Sequence, residues 1–255
     1  SVTKNIPINL IIMDYIYGLN PVIEALGSEG GGLTKIIIAD GRKGDAVQNV
    51  ILRAKQKGIT VQFADRDYLD RIAGRKTHQG IVALCESFSY ADIDDLISAD
   101  TGNKGELILI LDSISDPQNL GSLIRTANCC GAKGVIIPED RAASVTATVI
   151  KASAGAVRHT AVAKVVNLAR TIEYLKEKGF WIYGTDADGG QDIRSMNYDR
   201  RLGLVMGSEG KGMRPSIRKQ CDFLLSIPMK GEITSFNVAV AAGILMYEIG
   251  RQWEQ

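Results

Sequence analysis

Residues 224–249 read "LLSIPMKGEITSFNVAVAAGILMYEI", and this order governs how the C-terminal half of the chain can fold. An apolar strand stops at Pro228, a glycine-containing loop follows, and a helix starts at Thr234–Asn237. Its first turn carries Ser235 and Asn237, whereas its body is almost wholly apolar, with Ala239, Ala241, Ala242 and Gly243 as small shoulders. Such a helix must be covered on most sides, and small side chains let other backbone approach it closely. Hydroxyl and amide groups at a helix start either cap its free amides, here through Thr234 or Ser235, or hold a ligand there.

Working outward, "DFLLSIP" and "RLGLVMG" are apolar strands upstream of that helix. The series opens at Glu106 with "ELILILD", apolar almost throughout and therefore buried on both faces. A helix follows through Cys130, then "GVIIP", a helix, "TAVAKV", the helix Leu168–Lys178 and "FWIYGTD". Strand–helix alternation predicts an α/β domain with a mainly parallel sheet and helices on both faces. Ligands of such sheets bind at the carboxyl ends of the strands.

Two further loops fall at strand ends. In "LDSISDPQNLGSLIRTANCCGA", Asp116–Pro117 is a helix start, and Asn119, Ser122 and Arg125 follow at intervals of three that can share one face. They form either a solvated helix face or one wall of a site. In "VMGSEGKGMRPSIRK", Gly207, Gly210 and Gly212 permit tight turns and close backbone approach, and Glu209 sits between them. The spacing is neither a dinucleotide fingerprint nor a P-loop, so the loop is either a surface turn or a backbone cradle.

Upstream, "YGLNPVIEAL", "KIIIA", "AVQNVILRAKQKG", "ITVQF" and "GIVALC" alternate helix and strand in a smaller α/β unit, residues 14–88. Residues 89–105, rich in Asp, Ser and Gly, read as a linker with at most one short helix, and 106–255 form the larger domain. The chain begins at Ser1, and residues 1–13 are set apart as an N-terminal extension, since Met13 offers a start.

Composition narrows the function classes. The 255 residues carry a formal net charge of +1, so any polyanion has to meet a local basic patch. No apolar run reaches the roughly 18 residues of a membrane span, and no signal peptide is visible, which together predict a cytoplasmic protein. Cys85, Cys129, Cys130 and Cys221 lack metal-ligand spacing and are expected to be reduced. With only His78 and His159 as histidines, neither a metal site nor His-based nucleophilic catalysis is expected.

Taken together, "DPQNLGSLIRTANCCGA", "LVMGSEGKGM" and "IPMKGEITSFNVAVAAGI" closely resemble the three motifs of the SpoU (TrmH) family of RNA ribose 2′-O-methyltransferases, in the SPOUT superfamily. "YIYGLNPVIEAL" and "THQGIVA" look like the L30e-like substrate-binding domain of the branch that methylates guanosine in bacterial 23S rRNA. The resemblance covers nearly all of the chain after Met13. It implies an α/β-knot catalytic domain with a trefoil knot, a topology that spacing alone would never suggest. It further implies S-adenosylmethionine as cofactor, contacted at Gly207, Ile227 and Phe236, the last in place of the family's usual leucine. Arg125, Asn119, Glu209, Ser235 and Asn237 match the family's catalytic positions. Arginine holds its proton in proteins, so Arg125 is expected to clamp the RNA phosphate rather than act as a free base. Asn119 is expected to orient Arg125 or the ribose, and Glu209 to fix the arginine. The family also implies a homodimer through the catalytic domain.

For the smaller unit, Arg42, Lys43, Arg71, Arg75 and Lys76 are the expected RNA contacts, the last three clustering beside "THQG". Three other functions compete. A tRNA ribose methyltransferase would keep the chemistry and change the substrate. An inactive RNA-binding factor would fail to bind the cofactor. A nucleotide-binding Rossmann enzyme should show G-x-G-x-x-G after Leu107–Leu111, and it is absent.

Overall fold

A computed structural model describes residues 13–27, 32–74, 76–86, 88–97, 105–186, 189–199, 201–232 and 234–254. Residues 1–12, residues 98–104 of the expected linker and Arg75 lie outside the described residues. The chain divides into two compact units, one ending at Ser89 and one beginning at Tyr90.

The first unit contains β1 (Met13–Tyr17), α1 (Leu19–Gly27), β2 (Leu33–Ala39), α2 (Asp45–Gln56), β3 (Thr60–Ala64), α3 (Arg66–Ala73) and β4 (Ile81–Glu86). Its sheet order is β1-β4-β2-β3, with β4 antiparallel to both neighbours and β2 parallel to β3. Both faces of β2 are used. Ile36 and Ile38 pack with Val22 and Leu26 of α1 and Val47 and Val50 of α2, while Ile37 and Ala39 pack with Leu69 of α3. This two-sided burial accounts for the absence of polar alternation in "KIIIA".

The second unit contains β5 (Glu106–Leu111), α4 (Pro117–Cys129), β6 (Gly134–Pro138), α5 (Ala147–Ala152), β7 (Ala161–Val165) and α6 (Leu168–Glu177). It continues with β8 (Trp181–Thr185), β9 (Gln191–Asp192), β10 (Arg201–Met206), α7 (Pro215–Arg218), β11 (Phe223–Ser226) and α8 (Val238–Trp253). The seven-stranded sheet has the order β7-β6-β5-β10-β8-β11-β9, and every pairing is parallel. All six residues of β5 are buried. Glu106 among them is neutralised by Arg201, whose Nε donates to its carboxylate at 2.9 Å across the β5–β10 ladder. Residues 90–97, in the segment expected to link the units, lie against the second one. Ala91 bridges to Ala163, and a Cβ on Gly134 would stand 2.6 Å from the buried Leu96.

Helix α8 answers the question of its small residues. Val238, Ala242, Leu245, Met246 and Ile249 are buried within this chain, and Gly243 brings α8 so close to α4 that a Cβ there would meet Thr126 Cγ2 at 3.3 Å. Val238, Ala242, Leu245 and Ile249 are therefore core of this chain and not a surface for a second copy. The apolar residues left in the open are Val240, 50% exposed, and Tyr247, 72% exposed. A single-chain pattern cannot say which side of an all-apolar helix meets its own sheet.

Candidate functional site

Strands β5, β10 and β11 run parallel, so the loops that follow them (112–116, 207–214 and 227–237) leave the sheet from one edge. The first two are tied together at Asp112. Its backbone N–H donates to Met206 O at 2.8 Å, and its fully buried carboxylate accepts from Arg214 N at 2.7 Å and Arg214 Nε at 2.6 Å. Ser113 Oγ donates to the same carboxylate at 3.1 Å. Removing the buried partner leaves a cation and an amide without acceptors. We expect Asp112→Ala to destabilise the protein by about 3 kcal/mol, read as a lowered melting temperature. An unchanged melting temperature would contradict this role.

The glycine loop is closed on itself. Ser208 and Gly212 exchange backbone hydrogen bonds at 3.1 and 2.9 Å, and Gly210 and Gly212 adopt positive φ of 77° and 65°. A Cβ on Gly207 would stand 2.2 Å from Gly212 C, so that position admits no side chain. The closed loop carries Glu209 outward towards the third loop.

Asn237, in the third loop, joins the second loop to the first turn of α4. Its side-chain Oδ1 accepts from Ala239 N at 3.0 Å and caps α8, the role expected of Thr234 or Ser235. Its Nδ2 donates to Asn119 Oδ1 at 3.0 Å and to Glu209 Oε1 at 2.5 Å, and Val238 N adds a 3.3 Å bond to Glu209 Oε1. Asn119 is held two residues into α4, which is capped by Asp116 with Pro117 at its first position. The expected bond from Glu209 to Arg125 is absent, because that carboxylate holds the start of α8 instead. Arg125 is exposed and has no hydrogen-bond or ion-pair partner among the described residues. The shared face proposed for Asn119 and Arg125 also fails. Six residues at about 100° each leave them roughly 120° apart around α4, one against α8 and one in solvent.

Between the second and third loops lies a cleft of about 730 Å³. Gly207, Ile227 and Phe236 line it, as do Glu209, Ser235 and Asn237. Asn119 reaches it only through Asn237, and Arg125 does not line it. Leu225, Val238 and the 42% exposed ring of Phe236 supply apolar wall, while Arg218, bonded to Asp186 Oδ2, supplies a charged one. Asp112, Arg214, Asp186 and Arg218 escape sequence reasoning, since their partners are remote in the chain and their types are common on surfaces. The cleft's size and mixed lining suit a nucleoside-sized ligand. Burial pushes the nearby Cys221 thiol up to about 12, so it is no nucleophile. Among the described residues no group of three His, Cys, Asp or Glu could hold a metal, and no helix is long and apolar enough to cross a membrane.

In the first unit, Lys76 Nζ sits 4.8 Å from the centroid of Tyr17 and Arg71 Cζ 5.9 Å from that of Tyr68. Lys43 is exposed and Arg42 half-buried.

The sequence profile of the SpoU rRNA Methylase family matches residues 106–247. That of the RNA 2′-O ribose methyltransferase substrate-binding domain matches residues 15–91. A Bacillus subtilis (strain 168) protein, YacO, whose name assigns it to the TrmH family of tRNA/rRNA methyltransferases, is 48% identical over 94% of this chain and 96% of its own. The solved structure of an AdoMet-bound rRNA methyltransferase from Sinorhizobium meliloti superposes with a TM-score of 0.61 at 27% identity, covering 94% of this chain and 87% of that one. The SpoU methyltransferase AviRb of Streptomyces viridochromogenes, at 23% identity, shares the fold with a TM-score of 0.62 over 94% and 90% of the two chains.

Proposed function

Since the chain belongs to the SpoU family of RNA methyltransferases, we propose that it transfers a methyl group from S-adenosylmethionine to a ribose 2′-hydroxyl, on a guanosine of 23S rRNA in the cytoplasm. The observation that carries the reading is the meeting of the second and third strand-end loops with the first turn of α4 at Asn237, beside a cleft that Gly207, Ile227 and Phe236 line.

The residues present fit the cofactor. Phe236, Leu225 and Val238 offer a purine apolar contact, and a carboxylate at Glu209 suits a neighbouring positive charge. When bound, S-adenosylmethionine supplies a methyl group on a positively charged sulfur. Glu209 and Asn119 hold Asn237, and with it the rim of the cleft, in one arrangement. Ser235, exposed on that rim, orients the ribose. Arg125 clamps the adjoining RNA phosphate with its planar fork and stabilises the negative charge on the 2′-oxygen as the hydroxyl proton passes to water, while the carbon–oxygen bond forms and the methyl carbon–sulfur bond breaks. Positioning of this kind supplies much of the rate in an in-line displacement. The relative YacO is named for both tRNA and rRNA, and tRNA is the second reading. The substrate-binding profile over residues 15–91 favours rRNA, because it adds a whole unit for RNA recognition. Mapping 2′-O-methyl groups in total RNA from cells with and without the gene decides this. A site lost from tRNA, or none lost, overturns the assignment.

Two structural parts of the proposal go with it. The C-terminal segment through α8 is threaded as the family's trefoil knot, and the active form is a homodimer. Arg125 stands in solvent, away from the cleft of its own chain, and Val240 and Tyr247 leave apolar surface open on α8. Pairing of two copies covers that surface and lets Arg125 of each serve the other's cleft. We expect the double variant Val240→Glu, Tyr247→Glu to halve the mass seen by light scattering and to lose methyl transfer. A wild-type monomer with full activity would refute the dimer.

A further inference from the structure

The turn at 77–80 in the first unit is built at some expense. Gln79 adopts a φ of 50°, a left-handed conformation that glycine takes freely and glutamine does not, and Gly80 follows at 74°. The turn is pinned from below by His78, which is only 4% exposed. Gly80 N donates to His78 Nδ1 at 3.1 Å, which leaves Nε2 to donate to Asp70 Oδ1 at 2.7 Å. Ala39 N, at the end of β2, donates to Gly80 O at 3.0 Å, and Gly18 N, after β1, donates to Ile81 O at 3.1 Å. The turn is thus fixed to the ends of two strands. The carboxamide of Gln79 is nevertheless exposed and bonded to no described group.

Across this turn lies Arg42. A Cβ on Gly80 would stand 2.9 Å from Arg42 Cδ and 3.3 Å from Nη1, so the glycine makes room for that side chain. Arg42 Nε is buried and donates to no described group. A buried cationic N–H without an acceptor is rare, and Asp70 beside the turn is engaged by His78 rather than by Arg42. Gln79 Oε1 reaches within 3.8 Å of where a Gly18 Cβ would stand, next to Tyr17, over whose ring Lys76 sits. One end of the sheet therefore presents two cations and one amide, with strain and an unmet donor maintained among them.

We propose that this turn docks one phosphodiester of the substrate RNA and the base beside it, with Arg42 as the phosphate clamp and Gln79 as the residue that reads the base edge. A guanidinium fork matches phosphate oxygens, and a carboxamide can donate to and accept from one base at once. Strain retained at Gln79, where glycine would be easier, is accounted for by the need for its side chain. The proposal rests on the reading of the protein as an RNA methyltransferase and states where the first unit grips its substrate.

The test uses the full chain and a 23S rRNA transcript, with affinity measured across a salt series. Arg42→Ala is expected to weaken binding about tenfold and to lower the slope of log K against log salt by about one. Gln79→Gly is expected to weaken binding about fivefold at an unchanged slope, while its melting temperature holds or rises because glycine relieves the strain. Gly80→Ala, which displaces Arg42, should resemble Arg42→Ala. Cofactor affinity should hold in all three variants, since the cleft belongs to the second unit. RNA affinities equal to wild type in Arg42→Ala and Gln79→Gly would overturn the proposal. Protection of the wild type, but not of Arg42→Ala, by inorganic phosphate with RNA affinity unmoved would mean a free-phosphate site and overturn it as well. A wild type that binds the transcript and methylates it separates either result from failure of the functional reading. One that does neither removes both.

Discussion

Replacing Arg125 with alanine is expected to lower methyl transfer about 10³-fold, the loss typical of a donor aimed at developing charge. The structure makes this a selective test. The side chain is exposed and holds no described partner, so its removal should change stability by no more than about 0.5 kcal/mol. It does not line the cleft, so cofactor affinity measured by calorimetry should stay at the wild-type level. Arg125→Lys should recover little, because one ammonium cannot hold two phosphate oxygens in a fixed plane. Near-normal turnover in the lysine variant would show that charge alone suffices and would remove the clamp. A parallel fall in cofactor affinity would instead place Arg125 at the cofactor. If two copies share their sites, mixing Arg125→Ala with a cleft variant of intact Arg125 should restore part of the activity.

The sheet was readable because its strands are buried on both faces. "ELILILD" and "GVIIP" have no solvent side to mark with polar residues, and β5 and β6 are buried from end to end. The three loops were readable because glycine, proline, asparagine and hydroxyl residues interrupt apolar runs there. Pairing between loops left no such mark. Asp112 and Arg214 stand 102 positions apart, and nothing local distinguishes either from a surface charge. Asn237 could be named as a site residue, yet Thr234 and Ser235 cap helices as well as asparagine does. The winner was set by where Asn119 and Glu209 came to rest. β1 was missed for a related reason, since its residues 13–17 pair with residues 82–86 of β4. Helical spacing misled at Asn119 and Arg125, where two steps of three residues carried the pair to different sides of α4.

Gly207→Ala is expected to abolish cofactor binding and methyl transfer together, the opposite separation from Arg125. A Cβ at 207 would lie 2.2 Å from both Gly212 C and Met213 N, and 2.7 Å from Gly212 O. All three are backbone atoms, so no rotamer change can relieve the clash. To admit the methyl, the Ser208–Gly212 pair of hydrogen bonds has to open. Opening it draws Glu209 away from Asn237 and Val238, and moves Met213 out of a core where it fills the space that a side chain at Gly184 would need. The strain and lost packing should destabilise the protein by about 2 kcal/mol. Cofactor affinity should fall at least about 100-fold, because the cleft loses both its floor at 207 and its rim at 237. Gly210→Ala is the control. A Cβ there meets nothing within 4 Å, although φ is 77°, so it should cost about 1 kcal/mol from backbone conformation and leave the cleft intact. Thermal melting and calorimetry on the two variants separate closure of the loop from its flexibility. Wild-type cofactor affinity in Gly207→Ala would show that the loop can open without disturbing the site, and the cradle assigned to it would have to be given up.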